Sequence, residues 1–546
     1  MNNLLSYSSG PSNYPLLGET IGENLRNAVA KHPQQEALVC LQQNYRATYT
    51  EFYSQTEEIA KALLASGLQK GDRVGIWAPN RAEWVLIQFA TARIGIILVN
   101  LNPAYRQNEL EYVLKQAEIK AVFASKSFKT SEYKEMLLEL QPSVDTLELV
   151  VIFEENWKNF LLKADDYSRN KLMSVEQTVQ FDDPVNIQYT SGTTGFPKGV
   201  TLTHHNILNN GFFIGVRLNY THKDRVCIPV PFYHCFGMVI GNMACVSHGA
   251  CMVIPNDSFD PELTLDAVEN EKCTSLYGVP TMFIAELELP NFDRFDLSSL
   301  RTGVMAGSPC PIEIMKKVQS KMNMKEVSIC YGMTETSPVS TQTIIGTPIE
   351  KQVSTVGTVQ DHIEIKIVDP ETGSIVPRGI AGELCTRGYS VMLKYWNNPE
   401  ATASVIDENG WLHSGDLATM DVEGYINITG RIKDIIIRGG ENISPKEIED
   451  FLYTHESISD VQVIGVPSEK YGEEVMAWVK IKEGITITED DLKTYCLQIA
   501  HFKRPKYWKF VNEFPMTISG KIRKIEMREV STKELGLEYV KRIKTS

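Results

Sequence analysis

Residues 189–200 read Tyr-Thr-Ser-Gly-Thr-Thr-Gly-Phe-Pro-Lys-Gly-Val. A β-rich run, Asn186–Thr190, leads into them, and the helix-compatible stretch Leu202–Asn210 (LTHHNILNN) follows. Between the two lies a loop of hydroxyls and glycines with a single lysine. Glycine lets backbone approach an anion closely, and successive N–H groups can point at phosphate oxygens. Thr190, Ser191, Thr193 and Thr194 add hydroxyl donors, Gly192 and Gly195 add bare backbone, and Lys198 adds a point charge. A Walker A loop ends in Gly-Lys followed by Ser or Thr; here Pro197 precedes Lys198 and Gly199 follows it. A shorter match would describe only a flexible surface loop. Twelve consecutive residues after a strand describe a phosphate cradle.

Outward from this loop, short β-rich runs alternate with helical patterns from about Gly71 to Gly332. Strand candidates are Val74–Ala78, Ile96–Leu101, Ala121–Ala124, Arg225–Val230, Ala250–Ile254, Ser275–Gly278 and Val327–Tyr331. Amphipathic stretches such as Ala82–Arg93, Asn108–Ala117 and Pro311–Met322 lie between them. That alternation predicts an α/β body of helix-covered parallel sheets, with ligands beyond the carboxyl ends of the strands. After Ser337 the texture changes. His362–Val368 (HIEIKIV) alternates with period two, and Glu383–Thr386 and Tyr425–Thr429 follow among Gly and Pro turns, which predicts a small antiparallel β portion. A third texture begins near Lys433: helix Pro445–Thr454, strands Val461–Val466 and Met476–Ile481, helix Glu489–Ile499, strand Tyr507–Val511 and a basic tail. The expected division is a body over residues 1–432 and a small α+β domain over residues 433–546.

Composition narrows the function classes. The chain has 546 residues, 43% apolar and 22% charged, ordinary for a folded protein and enough for a large core. Lys plus Arg number 54 against 68 Asp plus Glu, a formal charge of −14. An acidic chain is a poor general nucleic-acid binder, because such binding draws on Lys and Arg at phosphates. The charge is uneven: residues 501–546 carry 12 basic and 5 acidic side chains. A locally positive small domain suits docking over anionic nucleotides. The ten cysteines include no C-x-x-C pair, which predicts reduced thiols in a cytoplasmic setting rather than disulfides or zinc. No signal-peptide pattern opens the chain, and its most apolar runs, Trp84–Val99 and Met238–Ile254, are too short and too polar for a spanning helix of about 20 residues.

Further motifs fall in order along the chain. Gly303–Pro309 reads GVMAGSP, Tyr331–Pro338 reads YGMTETSP, His413–Leu417 reads HSGDL, Thr429–Ser444 reads TGRIKDIIIRGGENIS, and Pro515–Ile522 reads PMTISGKI. A carboxylate beside a hydroxyl at a strand end, as in Thr334–Glu335, suits Mg²⁺ on nucleotide phosphates. With the loop at 189–200, these strings resemble the adenylate-forming acyl-CoA synthetases, the family that also holds beetle luciferases and the adenylation domains of peptide synthetases. The resemblance runs from about Ile21 to Lys524, with the family's order and spacing. PFYHCFG (231–237), VMAGSPCP (304–311), RGGENISPKEIEDF (438–451) and PMTISGKI resemble most its medium-chain fatty-acyl branch.

The resemblance implies ATP, Mg²⁺ and coenzyme A as ligands and a fatty acid as substrate. It makes Glu335 the magnesium ligand, Thr334 a contact of the α-phosphate and Tyr331, with Gly332, the adenine platform. Gly307, Ser308 and Pro309 become the adenine-binding turn, Asp416 the ribose carboxylate, and Arg431 the arginine reaching ribose and phosphates. Lys433 falls at the hinge of a mobile lid, where many relatives carry Asp. Gly439 and Gly440 line the thiol tunnel, Lys521 bridges carboxylate and α-phosphate, and His234 is the gate between acyl pocket and tunnel. Candidate pocket walls are Phe232–Ile240, Val279–Phe283, Val304–Gly307 and Cys330–Met333, with Met238, Met305 and Met333 as adaptable lining. His204 and His205 are adjacent on a helical pattern and do not share a face, so they are not read as a metal pair. A ligase passing acyl-AMP to a carrier protein, an aryl- or methylthioalkanoyl-CoA ligase and a silent nucleotide-binding scaffold are the alternatives. Oligomeric state, a homodimer included, stays open.

Overall fold

Near-continuous apolar runs such as Arg73–Trp77 (RVGIW) and Ile97–Asn100 (ILVN) form strands buried on both faces, as parallel sheets require. The structure is a computed structural model, which describes residues 4–190, 197–308, 310, 312–516 and 522–538. The chain divides into two compact units, one of Ser8–Ile365 with Thr386–Leu412, the other of Met1–Tyr7, Lys366–Cys385 and His413–Ser546.

The larger unit is built on two mixed sheets. A seven-stranded sheet runs Lys394–Tyr395, Lys198–Thr203, Pro184–Thr190, Ile97–Asn100, Arg73–Trp77, Ile119–Ala124, Leu149–Ile152. Its last five strands are parallel, and the first two join antiparallel. A nine-stranded sheet carries six parallel strands at its centre, among them Ser275–Gly278, Thr302–Ala306 and Glu326–Gly332, with antiparallel strands at both edges. The α/β architecture read from the alternation is the one observed.

Two local expectations change. The phosphate loop does not run straight into a helix. Lys198–Thr203 (KGVTLT) forms a strand first, because its β-branched residues suit a pleated surface. Helix His204–Arg217 then starts at Thr203, whose side chain caps the Asn206 N–H. Helix Ala82–Arg93 is not amphipathic: every residue but Glu83 is buried, so it lies inside the body rather than on its surface. Buried Arg93 is neutralised by Glu176, at 2.6 Å.

In the second unit, Glu441–Ile443, Ile436–Arg438, Gly472–Ile481 and Ile458–Ser468 form a sheet, with Tyr507–Phe510 added parallel to Gly472–Ile481. Helix Pro445–Tyr453 presses Ile448 and Leu452 onto Val461, Val463, Val475 and Val479. The period-two run reads as strand Ile363–Val368, with alternating burial along its first half. It belongs to a five-stranded sheet that continues through Gly382–Gly388, Leu412–Met420 and Ile426–Arg431. All ten cysteines are free thiols, nine of them buried. Among the described residues no helix is long and apolar enough to cross a membrane.

Candidate functional site

Thr190 and Lys198 are register partners, so the strands that flank the phosphate loop pair antiparallel. Ser191, Gly192, Thr193, Thr194 and Gly195 lie outside the described residues. Lys198 Nζ stands 5.0 Å from the ring centroid of Tyr395, within cation–π range. Tyr395 sits on the edge strand beside these strands, paired with Val200. Its hydroxyl donates to Glu335 Oε1 at 2.8 Å. Burial and the Glu335 carboxylate both raise the phenol pKa, so Tyr395 stays a donor at any physiological pH. One tyrosine thus stands between the loop lysine and the acidic turn.

Glu335 is 7% exposed, on a single 3₁₀ turn, Thr334–Thr336. The Met392 N–H holds its carbonyl at 2.9 Å. The turn doubles back so tightly that a Cβ on Gly332 would lie 1.7 Å from the Pro338 carbonyl oxygen. Gly332 is therefore demanded by its own chain, before any ligand is considered. Strands Thr302–Ala306 and Glu326–Gly332 are parallel neighbours, with Ala306 opposite Cys330. Gly307 and Ser308 thus leave the sheet beside Tyr331 and Gly332, at carboxyl ends, where such sheets bind ligands. Gly307 has φ +96°, a conformation that favours glycine. Pro309 lies outside the described residues.

His234 lies in the turn before a buried π-helix, Phe236–Met243, and its Nδ1 accepts the Phe236 N–H at 3.2 Å. A ladder of buried amides moors this turn to the phosphate strand. Gln188 donates to Asn186, Asn186 donates to Asn100, and Asn100 donates to the Tyr233 carbonyl. Cys235 donates to Gln188 Oε1 from the other side. Sequence reading overlooked both this ladder and Tyr395. The available signal was Asn186 and Gln188 alternating with Ile187 in an otherwise apolar strand, polar residues on one face of a buried sheet.

The expected acyl-pocket walls divide between two cores. Phe232, Phe236, Met238, Val304, Ala306 and Cys330 share one cluster, against which Val279 and Met333 pack. Met305 and Phe283 belong to another. The reason for Met305 is the strand period of two, which turns it to the face opposite Val304 and Ala306. Met305 is withdrawn from the pocket reading. His204 and His205 also part company. His204 is fully buried and accepts the Ile21 N–H, whereas His205 packs against Phe181.

In the second unit, Asp416 and Arg431 are partners across antiparallel strands. Arg431 Nε donates to Asp416 Oδ1 at 2.8 Å, with Asp416 5% exposed and the arginine side chain 59% exposed. So open a pair adds little stability, but it aims the guanidinium. Lys433 lies in the turn Ile432–Asp434. Gly439 and Gly440, at φ +61° and +91°, are the two-residue turn of the hairpin Ile436–Arg438/Glu441–Ile443. Lys521 lies outside the described residues; Met516 and Ile522, on either side of it, form an antiparallel bridge.

A loop lysine, a buried acidic turn and strand-end glycines are the parts of a nucleotide-handling enzyme. The chain belongs to the AMP-binding enzyme family, whose model matches residues 25–396; the model of the AMP-binding enzyme C-terminal domain matches residues 447–521. It is 46% identical to the medium-chain acyl-CoA ligase ACSF2, mitochondrial, of Danio rerio, over 97% of this chain and 91% of that protein. It is 47% identical to the putative acyl-CoA synthetase YngI of Bacillus subtilis (strain 168), over 96% of this chain and 99% of that one. Among solved structures, ATP-bound MatB from Rhodopseudomonas palustris superposes with a TM-score of 0.82 at 28% identity, covering 95% of this chain and all of that one.

Proposed function

We propose that the protein is an AMP-forming fatty acid–CoA ligase for medium- to long-chain acids, acting through an acyl-AMP intermediate. The observation that carries the reading is the alignment of Lys198, Tyr395 and Glu335 in a chain that matches acyl-CoA ligases along nearly its whole length. In the first step the fatty carboxylate attacks the α-phosphorus of ATP, and pyrophosphate leaves. In the second the CoA thiol attacks the acyl carbonyl, and AMP leaves. Neither step needs a covalent nucleophile from the protein. Both need positioning, and positive charge where phosphate charge develops.

Lys198 and the hydroxyls and N–H groups of residues 190–195 hold the β- and γ-phosphates. Thr334 touches the α-phosphate, and Arg431 reaches ribose and phosphate from its anchor on Asp416, whose carboxylate accepts the ribose hydroxyls. Tyr331 and Gly332 pack on the adenine beside the turn Gly307–Pro309. Glu335 offers hard oxygen donors, the chemistry Mg²⁺ selects, and Tyr395 fixes one of them. Mg²⁺, when bound, neutralises phosphate charge. Residues 433–546 act as a lid hinged at Lys433. They bring Lys521 to the reacting carboxylate first and Gly439–Gly440 to the thiol path second, and closure keeps water from the adenylate. His234 gates the acyl pocket, whose candidate walls carry no charged side chain.

Separating the half-reactions tests these roles. Lys521→Ala is expected to abolish adenylation yet make acyl-CoA from supplied acyl-AMP. Equal loss of both steps would remove Lys521 from its role. Acyl transfer to a carrier protein, with CoA inert, would favour the carrier-loading alternative.

A further inference from the structure

We propose that Glu383, Cys385 and His413 form a binding site for a thiophilic divalent cation, zinc by chemistry. Glu383 and Cys385 are two apart on strand Gly382–Gly388 (GELCTRG), so both side chains leave the same face. His413 sits on the next strand of the sheet, Leu412–Met420. A carboxylate oxygen, a thiol sulfur and a ring nitrogen from the three all lie within 4.8 Å of one another.

The geometry is close to that of a bound site. Ligand atoms around a tetrahedral zinc, at bonds of about 2.0–2.3 Å, stand about 3.3–3.8 Å apart. His413 Nδ1 to Cys385 Sγ is already 3.4 Å. His413 Nδ1 to Glu383 Oε2 is 2.8 Å, so that pair has to open by about half an ångström to reach the same spacing. The other Glu383 oxygen is occupied: Oε1 accepts the Gly415 N–H at 3.0 Å. That bond orients the carboxylate and leaves Oε2 for the cation, as outer-sphere partners do in metal sites. Cys385 is buried, while the His413 side chain is one-third exposed, which gives solvent access from one side.

The donor set decides which ion. Thiolate and imidazole select zinc over Mg²⁺, whereas Glu335 offers oxygen alone. Three protein ligands leave a fourth position to water. On binding, the Cys385 S–H bond breaks and its proton passes to solvent, the Nδ1 proton that His413 shares with Glu383 leaves to solvent or is replaced by one on Nε2, and sulfur–metal and nitrogen–metal bonds form. The competing account is a Glu–His ion pair beside an inert buried thiol.

Cobalt(II) titration of the full chain separates the two. One cobalt per chain is expected, with a near-ultraviolet thiolate-to-cobalt absorption that zinc displaces and that Cys385→Ser removes and His413→Gln weakens. No such absorption in the unaltered protein, or the same absorption in Cys385→Ser, overturns the proposal. X-ray absorption on the zinc-loaded unaltered protein gives a test free of variants. One sulfur with nitrogen and oxygen ligands is expected; an all-oxygen/nitrogen shell, or two or more sulfurs, contradicts the site.

Discussion

At the scale of single residues, Tyr395 shows how a side chain without a motif enters a site. In sequence it is an aromatic at an edge strand. Only the pairing of Lys394–Tyr395 with Lys198–Thr203 brings its hydroxyl to Glu335 and its ring under Lys198. Tyr395→Phe keeps the ring and deletes the donor. With Glu335 as the proposed Mg²⁺ ligand, losing such an outer partner weakens metal affinity by about 10- to 100-fold. The Mg²⁺ concentration needed for half-maximal ATP–pyrophosphate exchange is therefore expected to rise by about tenfold or more. An unchanged Mg²⁺ profile would free Glu335 from Tyr395. His204 carries a different residue-scale prediction. Burial pulls its imidazole pKa from 6.5 to about 3, so the folded protein holds it neutral while the unfolded chain protonates it below pH 6.5. Its contribution to stability is whole above pH 6.5 and is lost as pH falls toward 3. His204→Asn keeps an acceptor for the Ile21 N–H and does not titrate. A plot of melting temperature against pH is expected to fall less steeply for it between pH 6.5 and 4. An acid limb parallel to that of the unaltered protein would contradict this.

At the scale of elements, the amide ladder and the glycine hairpin make separate predictions. Asn186→Leu removes the donor to Asn100 Oδ1 and an acceptor of Gln188, at about 1–3 kcal/mol for each buried group stranded. A lower melting temperature is expected, together with a looser His234 turn and a higher KM for the fatty acid. A fall in stability with KM unchanged would confine the ladder to a structural role. At Gly440, φ +91° strains any side chain by about 1–2 kcal/mol, while the space beyond its Cβ is open. Gly440→Ala and Gly440→Trp share that strain and differ in bulk. Tunnel lining predicts that only Trp blocks CoA acylation while both variants keep pyrophosphate exchange; equal loss in both assigns Gly440 to the turn alone. Much of this was legible in sequence. Apolar runs such as Ser275–Gly278 and Val327–Tyr331 gave their strands, because burial on both faces leaves little ambiguity. Lys198–Thr203 was missed, because the glycines before it hid a β-branched run that pairs only through the fold. Met305 was misassigned, because a wall read as a continuous segment ignores the alternation of faces. Asp416 and Arg431 were each legible as motifs, but not their pairing, which depends on strand register.

At the scale of the whole molecule, the larger unit closes over a buried ion pair as well as an apolar core. Arg217 meets Asp361 at 3.1 Å and donates to the carbonyls of Gln342, Thr358 and Val359. Arg217→Ala removes all four contacts and leaves Asp361 buried and unpaired, a loss of about 3–5 kcal/mol. The expected readout is a lower denaturant midpoint; an unchanged midpoint would mean the pair is solvated. The proposed reaction runs in two halves. The most direct test is ATP–pyrophosphate exchange measured across straight-chain carboxylates of increasing length, first without CoA and then with it. The prediction is exchange that requires a fatty acid and not CoA, followed on CoA addition by stoichiometric AMP and acyl-CoA. Exchange without an acid, no exchange with any acid, or release of ADP and phosphate would contradict it.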